Sequence, residues 1–248
     1  MYRAKLRLDA AREVLSYWPA MPNTKTVFLF DVDNTLLDND RVTADLRRHL
    51  DAKVGMLNSK RYWEIFEQLR SELGYADYLG ALQRYRIDYP HETHLLAVSY
   101  FLMRYPFANR LFPNSIDVVE TAQQWGTAAI LSDGDVVFQP HKVYGSGLYE
   151  VFQGNVLIYV HKEQELEDVE RRFPSDHYVV IDDKLRILEA IKNSWGPRVT
   201  TVFVRQGHYA YDAKTIAQYR PADVALQRIG DLTEHDHASL LNAAATTC

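Results

Sequence analysis

Short β-branched segments that end in aspartate or serine alternate along this chain with longer segments in which apolar residues recur at helical spacing. Parallel strands need long crossover connections, usually helices, so this alternation is typical of an α/β fold. We therefore predict a mainly parallel sheet flanked by helices. The predicted strands are Thr26–Asp31, Thr127–Ser132, Val156–Val160, Tyr178–Asp182, Arg198–Val204 and Asp223–Leu226. The predicted helices with clear ends are Ser115–Trp125, Glu163–Phe173 and Leu185–Trp195.

The interval from residue 40 to residue 109 breaks this alternation, because it contains helical patterns but no convincing strand. Arg61–Leu73 stops before a glycine, and His91–Arg104 stops just short of a proline. We predict an inserted all-α domain at residues 40–109 and an α/β core domain formed by residues 1–39 and 110–248. A further helix is predicted near Ala4–Tyr17, ahead of the first strand.

Composition and charge limit the classes of partner. The 248 residues, 47% of them hydrophobic, suffice for one α/β domain with a small insertion. The net charge is −5 and neither sign forms a long run, so we expect a small-molecule partner and neither nucleic acid nor a membrane. The longest apolar stretch, Leu95–Met103, is about half of the roughly 20 residues that span a bilayer. The only cysteine is Cys248 and the N-terminus has no signal-peptide pattern, so we expect a soluble, cytoplasmic protein.

The first candidate site residues are two carboxylates that directly follow the apolar strand of residues 26–30. Asp31 and Asp33 are spaced i, i+2, so on an extended chain both face the same side. Ligands of parallel α/β sheets bind just beyond the carboxyl ends of the strands. The alternative is an ordinary polar exit from a strand, with aspartate and asparagine forming turns.

Two other predicted strands also end in polar residues. Ser132, Asp133 and Gly134 could offer a hydroxyl and backbone N–H groups to a phosphate, although a plain turn explains them equally well. Asp182 and Asp183 are costly after an apolar run unless they are solvated or bind a cation, and carboxylate oxygens suit Mg²⁺. Asp183 could instead cap the following helix.

A lysine completes the pattern. Lys162 follows the strand Val156–Val160, where it could balance the charge of carboxylates and phosphate, or pair with one of the glutamates that follow it. Lys142 is the rival, but it follows Ser132 by too few residues to leave room for the next helix and strand. We therefore prefer Lys162.

The order and spacing of these residues resemble the haloacid dehalogenase superfamily, over about Thr24–Asp38 and Leu111–Gly207. The residues that match its motifs are Asp31, Asp33 and Thr35 for DxDx[TV], then Ser132, Lys162, and the acidic pair Asp182 and Asp183. The resemblance implies a Rossmann-like core with a helical cap inserted between the first and second motifs. In its phosphatase branch it also implies Mg²⁺-dependent hydrolysis of small phosphorylated metabolites.

The resemblance implies a role for each matched residue. Asp31 would be the nucleophile that forms an aspartyl phosphate, and Asp33 the general acid and base. Ser132, Lys162 and the backbone near Asp133 and Gly134 would bind phosphoryl oxygens. Mg²⁺ would be held by Asp31, by the backbone carbonyl of Asp33, and by the pair Asp182 and Asp183, with Asp183 favoured as the direct ligand of that pair.

Other functions on the same fold remain open. Dehalogenation of a 2-haloacid uses an aspartate and no metal, but dehalogenases of the family lack the acid that is present here as Asp33. A phosphotransferase or mutase would need the same intermediate. A binding protein that has lost turnover is disfavoured because every catalytic position is filled. The substrate and the oligomeric state do not follow from the sequence.

Overall fold

The computed structural model describes residues 25–246 of the chain, with side chains through residue 244. The predicted helix Ala4–Tyr17 and Cys248 therefore lie outside the described residues. Within residues 25–246, no helix combines the length and the apolarity that a bilayer crossing would need.

A six-stranded sheet of parallel strands forms the centre of the molecule, and it confirms the predicted α/β fold. Its spatial order is β3-β2-β1-β4-β5-β6, the order of a Rossmann-like sheet. The strands are β1 (Thr26–Phe30), β2 (Thr127–Asp133), β3 (Val156–Tyr159), β4 (His177–Asp182), β5 (Val199–Val204) and β6 (Val224–Leu226). Each agrees with its predicted range to within one residue at either end.

The central strands are buried on both faces because successive side chains point to opposite sides of the sheet. Phe28 and Phe30 of β1 lie in one apolar layer, whereas Val27 and Leu29 lie in the other. The second layer is covered by α9 (Leu185–Trp195), which contributes Ile187, Leu188 and Ile191. Continuous apolar strands are thus a consequence of helices on both faces.

Twelve α-helices lie among the described residues. They are α1 (Asn39–Val54), α2 (Met56–Leu73), α3 (Tyr78–Asp88), α4 (Leu95–Met103), α5 (Ser115–Trp125), α6 (Phe138–Gly145), α7 (Leu148–Val151), α8 (Leu166–Arg172), α9 (Leu185–Trp195), α10 (Gly207–Tyr211), α11 (Ala213–Ile216) and α12 (His237–Thr246). Short 3₁₀ helices cover Phe107–Arg110, Lys162–Gln164, Gly196–Arg198 and Ile229–Glu234. The predicted helices α5 and α9 have the expected bounds.

Three predicted helices differ from the structure. The predicted Arg61–Leu73 begins earlier, at Met56. The predicted Glu163–Phe173 is divided into the 3₁₀ turn Lys162–Gln164 and α8, because Glu165 has a non-helical backbone between them. The predicted His91–Arg104 starts only at Leu95, since turns occupy the residues ahead of it.

The four helices α1 to α4 all lie between β1 and β2, and we call them the helical insertion. Within this described segment no residue belongs to a strand of the sheet. Its apolar residues, among them Leu46, Tyr62 and Tyr85, belong to the same buried cluster as Phe28 and Phe30 of β1. The domain boundaries predicted from the sequence, and movement of the insertion as a cap, remain predictions.

A tight packing contact fixes the turn between β1 and the helical insertion. Asn34 has φ of 62°, and its side chain exchanges hydrogen bonds of 3.1 Å with the side chain and the backbone N–H of Asp40. Gly207 packs directly on it, such that a Cβ at this glycine would lie 2.4 Å from the Cβ of Asn34. Gly207 itself has φ of +71°, a region that residues with a side chain rarely adopt.

We expect Gly207→Ala to reduce the free energy of unfolding by more than Gly147→Ala does. Gly147 has φ of +81°, but a Cβ at this glycine would have no neighbour within 4 Å, so its alanine variant loses only the backbone contribution, about 1–2 kcal/mol. Gly207→Ala adds overpacking against Asn34, typically about 1–3 kcal/mol more. Urea unfolding of both variants measures the difference, and equal losses would contradict the packing argument.

Candidate active site

The polar residues that end the strands meet at one edge of the sheet. Asp31 follows β1, Ser132 lies near the end of β2, and Asp182 ends β4. The strand order places β1 between β2 and β4, and the N–H of Asp31 donates to the carbonyl oxygen of Ile181 at 2.9 Å. This is the edge at which parallel α/β sheets bind ligands.

Lys162 lies between two buried carboxylates. Its Nζ is 2.7 Å from Oδ1 of Asp31 and 2.6 Å from Oδ2 of Asp182, and it also donates to the carbonyl oxygen of Leu131 at 3.1 Å. All three charged side chains are at most 3% exposed. The sequence preference for Lys162 over Lys142 thus agrees with its contact to Asp31.

The charges around Asp31 favour its ionised form. Burial alone would raise its pKa, but the ammonium groups of Lys162 and Lys184, together with hydrogen bonds, lower the pKa below its ordinary value. In return, although burial disfavours a charged lysine, the carboxylates of Asp182 and Asp31 raise the pKa of Lys162. The two side chains therefore form an ion pair in the protein interior.

The two aspartates after β4 have different surroundings. Oδ1 of Asp182 accepts the N–H of Lys184 at 2.8 Å, and Oδ2 lies 2.6 Å from Nζ of Lys162 as an ion-pair contact without hydrogen-bond geometry. Asp183 is 1% exposed, and neither of its oxygens has a hydrogen-bond partner among the described residues. Burial raises the pKa of Asp183 well above its ordinary value, with Asp182 and Asp31 adding to the rise and Lys184 opposing it.

Asp31, Asp182 and Asp183 form a group that fits a hard cation. One oxygen from each lies within 4.8 Å of the others, and all three residues are buried. An unpartnered buried carboxylate is costly, and a divalent cation with a preference for oxygen ligands would remove that cost. Asp33 does not contribute its carboxylate to this group, so any ligand it supplies would come from its backbone, as expected from the resemblance.

Ser132 is oriented by a residue that the sequence did not single out. Its Oγ lies 3.5 Å from Oδ1 of Asp31, at the long limit of a hydrogen bond, and it accepts the side-chain N–H of Gln139 at 3.0 Å. Gln139 packs closely against the turn after β2, since a Cβ at Gly134 would lie only 2.6 Å from the Cβ of Gln139. The spacing of Ser132 and Gln139 in the sequence does not predict this hydrogen bond, because it depends on how α6 packs on the end of β2.

The backbone near Ser132 is partly engaged in the sheet. The N–H of Gly134 donates to the carbonyl oxygen of Tyr159 at 2.9 Å, and Oδ1 of Asp133 accepts the N–H of Lys162 at 2.8 Å. The phosphate-binding role predicted for the Gly134 amide therefore gains no support from this geometry. Asp133 instead fixes the start of the turn that carries Lys162.

Asp33 is held by the lysine that motif spacing disfavoured. Nζ of Lys142 lies 2.6 and 2.8 Å from the two carboxylate oxygens of Asp33, and it donates to Oδ1 of Asn39 at 3.0 Å. Lys142 is 1% exposed, whereas the Asp33 side chain is 23% exposed. Lys142 and Asn39 are thus site residues that motif spacing did not identify.

A cavity of about 1100 Å³ opens beside these groups. Asp33, Asp183 and Lys184 line it from the sheet edge, and Arg47, Arg70 and Tyr75 line it from the helical insertion and the loop after α2. This volume is just above the roughly 300–1000 Å³ typical of small-molecule sites and greatly exceeds that of a phosphate group. The cavity can hold a small molecule beside the carboxylates of Asp33 and Asp183.

Solved structures resemble the chain over most of its length. A crystal structure of a haloacid dehalogenase-like hydrolase from Burkholderia xenovorans LB400 is 59% identical, with a TM-score of 0.83, and the match covers 86% of this chain and 99% of that one. HAD-hydrolase YfnB from Bacillus subtilis, bound to magnesium, is 18% identical with a TM-score of 0.57, covering 85% of this chain and 98% of that one.

A third solved structure is that of L-2-haloacid dehalogenase from Xanthobacter autotrophicus with chloropropionic acid covalently bound. It is 16% identical with a TM-score of 0.58, and the match covers 85% of this chain and 97% of that one. At these identities the second and third structures show the fold alone. Neither a protein-family model nor a curated protein matches the sequence. The 59% identity over nearly the whole of the Burkholderia protein shows that this chain is a hydrolase of the haloacid dehalogenase-like family.

Proposed function

We propose that the protein is a Mg²⁺-dependent phosphatase that hydrolyses small phosphate monoesters through an aspartyl-phosphate intermediate. The observation that carries the proposal is the buried, unpartnered carboxylate of Asp183 beside Asp31 and Asp182. Neither oxygen of Asp183 has a hydrogen-bond partner among the described residues, and burial raises its pKa, so its ionised form needs positive charge beyond that of Lys162 and Lys184.

Asp31, Asp182 and Asp183 would hold the metal ion. When bound, Mg²⁺ supplies positive charge that reduces the repulsion between the nucleophilic carboxylate and the phosphoryl group. Asp183 is the better candidate for the direct ligand of its pair. Asp182 has a hydrogen bond at Oδ1 and the ion pair with Lys162 at Oδ2, whereas neither oxygen of Asp183 has a hydrogen-bond partner among the described residues.

Asp31 is the proposed nucleophile. Its lowered pKa keeps the carboxylate ionised, and its Oδ2 accepts a long hydrogen bond of 3.3 Å from Thr35. That oxygen can attack phosphorus in line and displace the alkoxide of the substrate. The bond from Asp31 to phosphorus forms as the bond from phosphorus to the leaving oxygen breaks.

Asp33 is the proposed general acid and base. Its side chain is part of the cavity wall, two residues after the nucleophile, and it is more exposed than Asp31. In the first step it would donate a proton to the leaving oxygen. In the second step it would accept a proton from the water that attacks the aspartyl phosphate, which returns Asp31 to the carboxylate.

Ser132 and Lys162 are the proposed contacts for phosphoryl oxygens. The Ser132 hydroxyl accepts from Gln139, so its own proton can be donated to a phosphoryl oxygen. Lys162 would offset the added negative charge, which requires that it share its donors with Asp31 and Asp182. The helical insertion would act as the cap that selects among phosphorylated metabolites, since its residues line the cavity opposite the sheet edge.

Metal binding should stabilise the protein through Asp183. We expect Mg²⁺ to raise the unfolding midpoint of the wild type and to have no effect on Asp183→Asn. In EDTA, Asp183→Asn should be about as stable as the wild type, because without a cation neither side chain has a hydrogen-bond partner at this position. Asp182→Asn should be less stable than Asp183→Asn, because Lys162 then keeps only Asp31 as a charged partner.

Chemical unfolding with and without Mg²⁺ measures all three proteins. The metal assignment would fail if Mg²⁺ stabilised Asp183→Asn as much as the wild type.

Hydrolysis should require Mg²⁺ and a phosphate ester as the substrate. Hydrolysis of p-nitrophenyl phosphate should stop in EDTA and return on addition of Mg²⁺, because the carboxylate cluster needs the cation. Release of chloride from 2-chloropropionate should stay at background in both conditions. A screen of phosphorylated metabolites would then rank the substrates. Chloride release that survives EDTA, without phosphatase activity, would favour a dehalogenase.

Substitution of the two carboxylates of the first motif, Asp31 and Asp33, should block different steps of the reaction. Asp31→Asn should form no phosphoenzyme with any substrate, because the nucleophile is missing. Asp33→Asn should lose about 10²–10⁴-fold in turnover of alkyl phosphates and less with p-nitrophenyl phosphate, whose leaving group needs little protonation. It should also accumulate a phosphate adduct on Asp31, since water lacks its base.

Rapid-quench intact-protein mass spectrometry, with hydroxylamine to release the acyl phosphate, detects that adduct. Appreciable turnover by Asp31→Asn would exclude Asp31 as the nucleophile.

A further inference from the structure

Lys142 is a buried lysine whose ammonium group is directed at the proposed acid and base. It lies on α6, is 1% exposed, and makes its contacts with both oxygens of Asp33 and with Oδ1 of Asn39. Burying an ammonium group costs free energy unless each of its three hydrogens has a hydrogen-bond acceptor. The three acceptors found here are two from Asp33 and one from Asn39.

The pair restricts where the Asp33 carboxylate can point. A carboxylate on the wall of a water-accessible cavity can rotate about its side-chain bonds, unless both of its oxygens are bound at once. Lys142 binds both from the interior side, so the carboxylate remains at the cavity wall and away from the cluster of Asp31, Asp182 and Asp183.

Asn39 connects this arrangement to the helical insertion. Asn39 is the first residue of α1, and its side-chain N–H donates to the hydroxyl of Tyr78 at 3.3 Å. The Tyr78 hydroxyl shares a second hydrogen bond of 2.8 Å with Thr43. The ring of Tyr78 lies 5.5 Å from that of Phe138, the first residue of the helix that carries Lys142.

We propose that Lys142 and Asn39 are positioning residues that hold the carboxylate of Asp33 in the orientation needed for proton transfer. The inference rests on the proposed function of Asp33 and adds two residues that act only through it. Both residues line the cavity, but the hydrogen bonds of the Lys142 ammonium group go to Asp33 and Asn39. Misplacement of a catalytic group by about 1 Å typically costs about 10²-fold in rate, which sets the size of the expected effect.

A double-mutant cycle separates positioning from a general structural role. Lys142→Met should reduce turnover of an alkyl phosphate about 10²-fold in the wild-type background, and reduce turnover of p-nitrophenyl phosphate less. In the Asp33→Asn background the same substitution should have almost no further effect, because the group it positions is absent. Asn39→Ala should show the same pattern with a smaller loss.

The matched control is Lys192→Met. Lys192 also pairs with a buried aspartate, Asp223, at 2.9 Å, but it does not line the cavity. Its removal should cost stability and leave turnover of both substrates unchanged. If Lys142→Met does not fold, the cycle is run with Asn39→Ala alone.

Two results would overturn the inference. One is a loss from Lys142→Met, or from Asn39→Ala, that is the same in the wild-type and Asp33→Asn backgrounds. The other is a crystal structure of the variant in which the Asp33 carboxylate keeps its orientation. The crystal structure also separates this inference from the proposed function. If the wild type had no phosphatase activity but Lys142→Met changed the orientation of the Asp33 carboxylate, the proposed function would be refuted and the positioning role of Lys142 would stand.

Discussion

The ion pairs of Lys162 are the interaction on which the rest of the site depends. Burying two carboxylates at the ends of adjacent strands would be unfavourable without a cation between them, and a single ammonium group contacts both Asp31 and Asp182. Its position is fixed in turn by Asp133, which binds the backbone N–H of Lys162. With those two carboxylates paired with Lys162, Asp183 is the member of the cluster whose oxygens both lack a hydrogen-bond partner among the described residues, which is why the proposed metal site depends on it.

The sequence predicted which residues lie at the edge of the sheet that binds ligands. The strand pattern put Asp31, Ser132 and Asp182 at strand ends, and the family resemblance assigned them to one site, where the strand order brings them close together. The contact between Lys142 and Asp33 could not be predicted, because it depends on the packing of α6 beneath the helical insertion. The hydrogen bond from the Gly134 N–H to Tyr159 of β3 could not be predicted either, because the sequence of a glycine after a strand does not indicate whether its N–H is free.

Under the proposed function, proton transfer and substrate selection depend on neighbouring residues. The turn that follows Asp31 leads directly into α1, so Asn39 is both the start of the helical insertion and a partner of Lys142. On the other side of the turn, Asp40 is bound by Asn34 and by the backbone of His208 at 2.7 Å. A change in the packing of the insertion therefore reaches the proposed acid and base through a few hydrogen bonds.

The shared apolar layer has a consequence for how such a chain can diverge. Because Leu46, Tyr62 and Tyr85 are packed in one continuous cluster with Phe28 and Phe30, the inner side of the insertion is tied to the sheet by shape and volume. Some residues that line the cavity, such as Phe66 and Tyr78, belong to this cluster, whereas Arg47 and Arg70 do not. Under the proposed function, new substrate preferences can therefore arise by exchange of Arg47 and Arg70, while the apolar side of α1 and α2 stays nearly constant.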